Sequence, residues 1–287
     1  MEAVAEETYP GLSEEQRAHY DENGYIIIEN AAEPIGVDRI RDAYERAEAE
    51  TREDWEQMVA SGEYKGGYGN GPNAHTIRTN FEWDTTILDL ANNPKIIPII
   101  SEIIGPDYQV MEMLYHNHHG GTIAHTRWHR DWPPWTHPQF TLKAKCFYAV
   151  DDIHEDQGCF SLVPGTQGNP EGPPKDLYTE ENLTDMPGHK KMTMRVGDAI
   201  IWDVTCWHTG MANTSERDRR LVIFGYMPFF VKKWNASPPS EAIVNWADTP
   251  YKRQLMGIHC VNGRRSWDRT DVEYLPEHKE IAAAKKL

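Results

Sequence analysis

A tryptophan-rich stretch, WHRDWPPW, contains the first residues whose types and spacing could carry chemistry. Within it, His129 and Asp131 are two positions apart at the end of a predicted strand. Side chains at positions i and i+2 of a strand project from the same face, so this imidazole and this carboxylate could bind one metal ion. His-x-Asp also occurs by chance in many proteins, so the metal interpretation needs a third ligand.

His208 is the best candidate for that ligand. It follows a turn at Gly197-Asp198 and an apolar strand, Ala199–Trp202, which would return the chain across a barrel. Two histidines and one carboxylate are the ligand set of the facial triad, which leaves metal positions open and suits non-haem Fe(II) and oxygen. A hydrogen-bonded trio with a purely structural role is the alternative.

Two arginines follow His208 at the start of the next predicted strand. An iron site of this kind needs an electron source, and 2-oxoglutarate supplies it by chelating the metal through its keto acid end. Its far carboxylate then requires a fixed cation. Arg219 lies eleven residues after His208 (219 minus 208) and could form a bidentate pair with that carboxylate. Spacing does not separate Arg219 from Arg220, although the two should point to opposite faces of the strand.

A scaffold of short strands must position these residues. From about Tyr108 onwards, apolar and β-branched runs alternate with turns, which favours an all-β sandwich or barrel with helices packed outside it. The predicted strands are Tyr108–His116, Thr122–Trp128, Leu142–Val150, Cys159–Val163, Lys191–Val196, Ala199–Val204 and Arg219–Phe230.

The part of the chain before Tyr108 is predicted to be mostly helical. Ser13 begins a capping box, and Asn23-Gly24 ends that helix before a short apolar strand. Pro34 opens a long amphipathic helix. The other predicted elements here are the strand Tyr25–Ile28, helices at Asp84–Ala91 and Pro94–Ile104, and a glycine-rich connector or lid at Lys65–Asn73.

The charge balance narrows the range of partners. The formal net charge of -16 repels nucleic-acid phosphates and anionic membranes, so neither is an expected partner. The first residues, MEAVAEETYP, show no secretory leader, and no run reaches the roughly 18 apolar residues of a membrane span. We therefore expect a cytoplasmic monomer or homodimer that acts on a small-molecule substrate. The cysteines form no Cys-x-x-Cys pair and predict reduced thiols.

Several segments in register resemble the phytanoyl-CoA dioxygenase family of Fe(II)- and 2-oxoglutarate-dependent oxygenases. The resemblance covers most of the chain, and its most specific motifs follow in chain order. They are YDENGYIII at 20–28, HRD at 129–131, DQGCFSLVPGTQG at 156–168, VGDAIIW at 196–202 and HTGMANTSERDR at 208–219.

The resemblance implies a mainly β fold with flanking helices, built on a double-stranded β-helix (jelly-roll, cupin-like) core. It implies one domain over residues 1–287, with a mostly helical part at 1–107, the β-helix at 108–231 and a C-terminal extension at 232–287. It also implies that Fe(II) is the cofactor and that 2-oxoglutarate and O2 are cosubstrates. The implied iron ligands are His129, Asp131 and His208; the implied 2-oxoglutarate contacts are Arg219, in preference to Arg220, with Met111, Phe147 and Gly210.

The reaction implied by the family is hydroxylation of an unactivated C–H bond of a small-molecule metabolite or natural product, with succinate and CO2 as coproducts. Asp131 disfavours halogenation, since halogenases of the superfamily replace this carboxylate with a small residue. The same iron site could instead run a desaturation, a cyclisation or an epimerisation. A non-catalytic, cupin-like metal- or ligand-binding module is the alternative from a different class.

Substrate contacts are predicted at the mouth of the barrel. Trp132 and Trp135 follow the ligand strand, where they could either stack on the substrate or pack in the core; a family member places a substrate-contacting tryptophan at the position that matches Trp135. Arg78 is a third candidate, reaching the pocket from outside the barrel. An acyl-CoA would bring several negative charges to an acidic chain, so a small amine, an amino acid or a natural-product scaffold ranks above it.

Overall fold

The framework of the protein consists of two antiparallel sheets with helices against one of them. The computed structural model describes residues 9–62, 71–78, 84–123, 126–131, 141–179, 182–231, 239–258, 260–261 and 264–265. The strands are β1 (Tyr25–Ile28), β2 (Ala74–Ile77), β3 (Tyr108–His118), β4 (Ala144–Ala149), β5 (Phe160–Leu162), β6 (Lys190–Lys191), β7 (Ala199–Asp203), β8 (His208–Gly210), β9 (Arg219–Pro228), β10 (Cys260–Val261) and β11 (Arg264–Arg265). The helices are α1 (Glu14–Asn23), α2 (Val37–Ser61), α3 (Thr86–Ala91), α4 (Ile97–Ile104), α5 (Glu241–Trp246) and α6 (Pro250–Leu255), with a short 3-10 helix at Leu183–Asp185.

The large sheet has six strands in the order β1-β7-β4-β9-β3-β2, the small sheet has three in the order β6-β5-β8, and β10 and β11 pair in a further two-stranded sheet. The large sheet separates two hydrophobic cores, and the alternation of residues along strand β9 shows this. Leu221 and Ile223 join a core shared with the small sheet, while Val222 and Phe224 join the core under the helices. Successive strand residues point to opposite faces, so both faces of this sheet are covered.

The N-terminal helix follows its sequence signals. Ser13 accepts from the backbone N–H of Gln16, the Gln16 side chain accepts from the Ser13 backbone, and Gly24 ends the helix at a φ of 76°. The predicted capping box is confirmed. Pro34, by contrast, does not open α2, which begins at Val37. The backbone N–H groups of Ile35 and Gly36 both donate to the Ala32 carbonyl, so these residues close a turn first.

The structure corrects two strand predictions. Residues 122–123 and 126–128 form no continuous strand, although Thr122 bridges Asn213. In place of the predicted strand Lys191–Val196, the structure has the short strand β6 and an isolated bridge at Met194. Strands β2 and β8 were not predicted. Both are short and carry polar residues, so their strand conformation depends on pairing with β3 and β5 and not on apolar alternation.

Two further predictions concern membrane-spanning segments and the cysteine thiols. None of the helices in the described part of the chain is long and apolar enough to cross a lipid bilayer. Cys146, Cys159 and Cys206 are free, buried thiols, as predicted.

Candidate metal centre

His129 and His208 are brought together by backbone pairing. The N–H of His129 donates to the His208 carbonyl at 3.0 Å, and the N–H of His208 donates to the His129 carbonyl at 2.9 Å. The two residues therefore form an antiparallel bridge, which extends the small sheet beyond β8. Their imidazole centroids lie 4.1 Å apart.

Each imidazole is oriented by a hydrogen bond to the chain two residues before it. Nδ1 of His129 lies 2.6 Å from the carbonyl oxygen of Arg127, and Nδ1 of His208 lies 2.9 Å from that of Cys206. A carbonyl only accepts hydrogen bonds, so the proton of each neutral ring is on Nδ1 and the lone pair is on Nε2. This is the orientation in which histidine ligands commonly hold a metal.

Asp131 completes the group. Its backbone N–H donates to the Val204 carbonyl at 2.9 Å, which fixes its place beside the bridge. Its Oδ1 lies 3.5 Å from Nε2 of His129 and 3.8 Å from Nε2 of His208. One ligand atom from each of the three residues falls within 4.8 Å of the others. Two imidazole nitrogens and one carboxylate oxygen at this spacing fit a single non-haem iron.

The protonation states also fit a metal. Burial lowers the pKa of His208 to about 3, with a further contribution from His129, so this ring is neutral near pH 7. Burial acts to raise the pKa of Asp131, but the charge of Lys145 and the proximity of His129 and His208 together hold it well below its usual range. A neutral imidazole and an ionised carboxylate are the forms that bind metal ions.

A row of charged side chains next to Asp131 was not predicted. Nζ of Lys145 lies 2.5 Å from Oδ2 of Asp131 and 3.5 Å from Oε2 of Glu112, and Nζ of Lys143 lies 3.1 Å from the same Glu112 oxygen. A sequence signal did exist. Lys143 and Lys145 alternate with apolar residues in a predicted strand, on the same face as Phe147, which points into the core.

Arg219 is a buried cation facing the space between the sheets. It alternates with Leu221 and Ile223, whose side chains line that core, and it is 3% exposed. Its Nη1 donates to the Gly158 carbonyl at 2.6 Å. Among the described residues no carboxylate pairs with Arg219, and its buried Nε lacks a hydrogen-bond acceptor. Burial lowers its pKa to about 10, so it keeps its charge at neutral pH. A buried, unpaired guanidinium suits an anionic ligand.

Arg220 points the opposite way, as the strand periodicity predicted. Its Nε and Nη2 donate to the two carboxylate oxygens of Asp151 at 2.6 and 2.9 Å, and its Nη1 donates to Glu45 at 3.1 Å. Its charge is therefore satisfied on the outer face of the sheet, and only Arg219 of the pair is available to the interior.

The other predicted 2-oxoglutarate contacts lie in or near this interior. The Phe147 ring packs 5.2 Å from Phe160 and 5.7 Å from Trp202, and the Trp202 ring lies 4.3 Å from that of His208. Gly210 ends β8, two residues after His208. Met111 is half-buried at a bulge in β3, where the pairing with β9 shifts between Val110 and Glu112.

The structure describes one of the three predicted substrate contacts. Trp132 and Trp135 lie outside the described residues, as do residues 63–70, which contain most of the predicted lid. Arg78 is exposed directly after β2. Trp128 is buried in the core between the sheets, and its indole N–H donates to the Leu183 carbonyl at 2.8 Å.

Comparison with known proteins adds the family. Residues 20–221 match the profile of a family described as phytanoyl-CoA dioxygenase (PhyH). The chain belongs to the phytanoyl-CoA dioxygenase family. A relative within it, the peroxisomal phytanoyl-CoA dioxygenase of Rattus norvegicus, is 22% identical over 231 residues, which cover 75% of this chain and 68% of the rat protein. Membership of the phytanoyl-CoA dioxygenase family makes this an iron- and 2-oxoglutarate-dependent enzyme, as the motifs predicted.

Solved structures share the fold of this family member. HygX from Streptomyces hygroscopicus, with nickel and 2-oxoglutarate bound, superposes with a TM-score of 0.58 at 17% identity, covering 78% of this chain and 91% of HygX. The epimerase SnoN from nogalamycin biosynthesis superposes with a TM-score of 0.53 at 18% identity, covering 75% of this chain and 80% of SnoN. Together with the antiparallel sheets, these likenesses confirm the predicted jelly-roll, cupin-like fold.

Proposed function

We propose that this protein is a dioxygenase that hydroxylates an unactivated C–H bond of a small-molecule metabolite or natural product. The observation that carries the proposal is the pairing of two sites in one interior. A His-Asp-His group fit for iron and a buried arginine without a carboxylate partner among the described residues both face the space between the sheets. A protein that merely bound a metal would not need the second site.

His129, Asp131 and His208 would hold the metal from one side and leave its remaining positions to 2-oxoglutarate and oxygen. When bound, iron and 2-oxoglutarate supply the oxidising power: one oxygen atom of O2 enters succinate as CO2 leaves, and the other is inserted into the substrate C–H bond. The remaining work of the chain is to bind, to orient and to exclude water.

Arg219 would bind the far carboxylate of 2-oxoglutarate through a bidentate pair, made strong by its burial. We assign Met111, Phe147 and Gly210 to the walls around the same molecule. The aromatic rings of Trp202 and Phe160 pack beside His208, with Phe147 against both, and keep solvent from that side of the centre. Arg78, Trp132 and Trp135 are our proposed substrate contacts.

One observation favours a second reaction at the same site. SnoN, which shares the fold, is described as a 2-oxoglutarate-dependent epimerase. Epimerisation and hydroxylation both begin with removal of a substrate hydrogen, and substrate pose decides which follows. HygX has also been solved with hygromycin B bound, which supports a natural-product scaffold as the substrate class. Analysis of the product by mass distinguishes the two, since only hydroxylation adds an oxygen atom to the substrate.

The proposal is tested by incubating the purified protein with Fe(II), 2-oxoglutarate and a metabolite library while measuring succinate. We expect at least one compound to stimulate succinate release by the wild type, and Asp131→Ala to abolish the stimulation. Asp185→Ala, which removes an exposed carboxylate in the short 3-10 helix, is the matched control and should behave as the wild type. Stimulated release that survives Asp131→Ala would contradict the assignment of the site.

A further inference from the structure

A row of four charged side chains leads from the metal centre across the large sheet. It begins at Asp131, whose Oδ2 contacts Lys145, and continues through Glu112 to Lys143. The Lys143 side chain is 3% exposed, that of Lys145 16% and that of Glu112 28%. The two ammonium and two carboxylate groups alternate in sign, so the row is balanced when Asp131 is counted within it.

A glycine in the middle of the sheet makes room for this row. Gly225 on β9 lies opposite Glu112 on β3 and opposite Lys145 on β4. A Cβ atom at Gly225 would lie 2.9 Å from Oε2 of Glu112 and 3.2 Å from Cε of Lys143. Strand β9 is paired with β3 on one side and β4 on the other. The absence of a side chain at Gly225 therefore leaves a channel in which the charged side chains of these two strands meet.

The row lies on the inner face of the sheet. Lys145 alternates with Phe147 on β4, and Glu112 alternates with Leu114 on β3; both apolar partners line the core between the sheets. Nζ of Lys145 lies 6.0 Å from the ring centroid of Trp202, which packs against His208. Lys145 therefore belongs to the same interior as the metal ligands.

Binding of the cofactors leaves the net charge of this interior unchanged. Iron brings two positive charges and 2-oxoglutarate brings two negative ones, so they cancel. Among the described residues, Arg219 and the two lysines then face two carboxylates, Asp131 and Glu112. One positive charge of this group therefore has no counter-charge among the described residues, which is unfavourable for a buried group.

Hydrogen-bond capacity is unused at the same place. An ammonium group has three donors, and the described residues give Lys145 two carboxylates, Asp131 and Glu112. The indole N–H of Trp202 is fully buried and has no acceptor among the described residues. A donor on each group and one surplus positive charge suit one anion.

We propose that Lys145 anchors a carboxylate of the substrate beside the metal centre; this inference rests on the proposed function and names its substrate class. A single carboxylate matches the single surplus charge, whereas the several phosphate charges of an acyl-CoA do not. The strongly negative chain thus has a local excess of one positive charge in this interior, which whole-chain charge does not reveal. Because Lys145 contacts the ligand Asp131, the carbon that reacts lies within a few bonds of the anchored carboxylate.

The experiment measures binding, without turnover, to protein loaded with Zn(II) and 2-oxoglutarate. Acetate and butanoate are titrated against their amides, acetamide and butanamide, and affinity is followed by ligand-observed NMR. We expect the acids to bind at least tenfold more tightly than the amides. Lys145→Met should abolish this preference and Lys145→Arg should restore it. Lys191→Met, which removes a strand lysine paired with Glu155, is the matched control and should retain it.

Zinc content, thermal unfolding and 2-oxoglutarate affinity are measured for every variant before the titration. Acids that bind no better than amides to the wild type, or a preference that survives Lys145→Met, would overturn the proposal. The second result would indicate that the acids bind the zinc ion directly. Failure of the zinc-loaded wild type to bind 2-oxoglutarate is a different result, because it would overturn the proposed function and the inference with it.

Discussion

His129 and His208 face each other across an antiparallel bridge, and each donates its backbone N–H to the carbonyl of the other. Their positions are therefore set by main-chain hydrogen bonds between segments far apart in the sequence. The side chains contribute nothing to this bridge. Replacing either imidazole should remove a metal ligand and leave the local backbone in place.

We predict that His129→Ala and His208→Ala lose metal-induced stabilisation but keep the fold. A ligand present at about 100 times its Kd raises the free energy of unfolding by about 2.7 kcal/mol, and this increment should vanish in both variants. Thermal unfolding with and without Co(II) measures it. His154→Ala removes an exposed histidine and should show the wild-type increment. An undiminished increment in His129→Ala would remove that residue from the ligand set.

The two adjacent arginines give a second, matched test. Arg219→Leu should weaken 2-oxoglutarate binding by about 2–5 kcal/mol, the usual cost of removing one partner of a buried charge pair. Arg220→Leu should leave that affinity within about threefold, because its guanidinium pairs with Asp151 and Glu45 on the outer face. Calorimetric titration of the metal-loaded proteins compares the two. Equal losses in both variants would place the anchor elsewhere.

The sequence was most informative where a local rule decides the structure. The Ser13 capping box depends on neighbouring residues alone, and so does the opposite orientation of Arg219 and Arg220 on one strand. The i, i+2 rule predicted that His129 and Asp131 share a metal, but the strand that it assumed is reduced to an isolated bridge at His129. The pairing of His129 with His208 was predicted only from the chemical type of the two residues. No local rule applies, because the bridge between them joins distant segments.

The sequence signals only the two lysines of the charged row, because the meeting of these lysines with Glu112 depends on register between strands. Simple alternation would place Val110 and Glu112 on the same face of β3, but the bulge between them puts Val110 in the helix-side core and leaves Glu112 in line with Leu114. The meeting of Glu112 with Lys145 also requires both to lie opposite Gly225. Register of this kind is fixed by tertiary packing.

The channel at Gly225 can be tested by filling it. Gly225→Ala should destabilise the protein by about 1–3 kcal/mol, the usual cost of adding a methyl group where the neighbours must move. Here the Glu112 carboxylate and the Lys143 stem would be displaced. Urea unfolding measures the change. Gly172→Ala is the control, because no atom lies within 4 Å of a Cβ there, and it should alter stability by no more than about 0.5 kcal/mol.

The lowered pKa of His75 should make the stability of the protein depend on pH. Its ring stacks on Trp55 at 5.3 Å, and its Nε2 lies 3.1 Å from the Thr51 hydroxyl oxygen. Burial, with smaller effects of His119 and Arg52, lowers its pKa from 6.5 to about 4. Between these values the unfolded chain takes up a proton that the folded chain does not, so the free energy of unfolding falls as pH falls from 6.5 towards 4.

The loss due to His75 is at most about 3 kcal/mol, and solvent screening reduces it to about 1–2 kcal/mol. His75→Gln should therefore flatten the pH dependence of the free energy of unfolding between pH 6.5 and 4, measured by urea unfolding at intervals across this range. His154→Gln removes an exposed histidine and is the control, which should keep the wild-type slope. A slope unchanged by His75→Gln would show that other groups carry the acid sensitivity in this range.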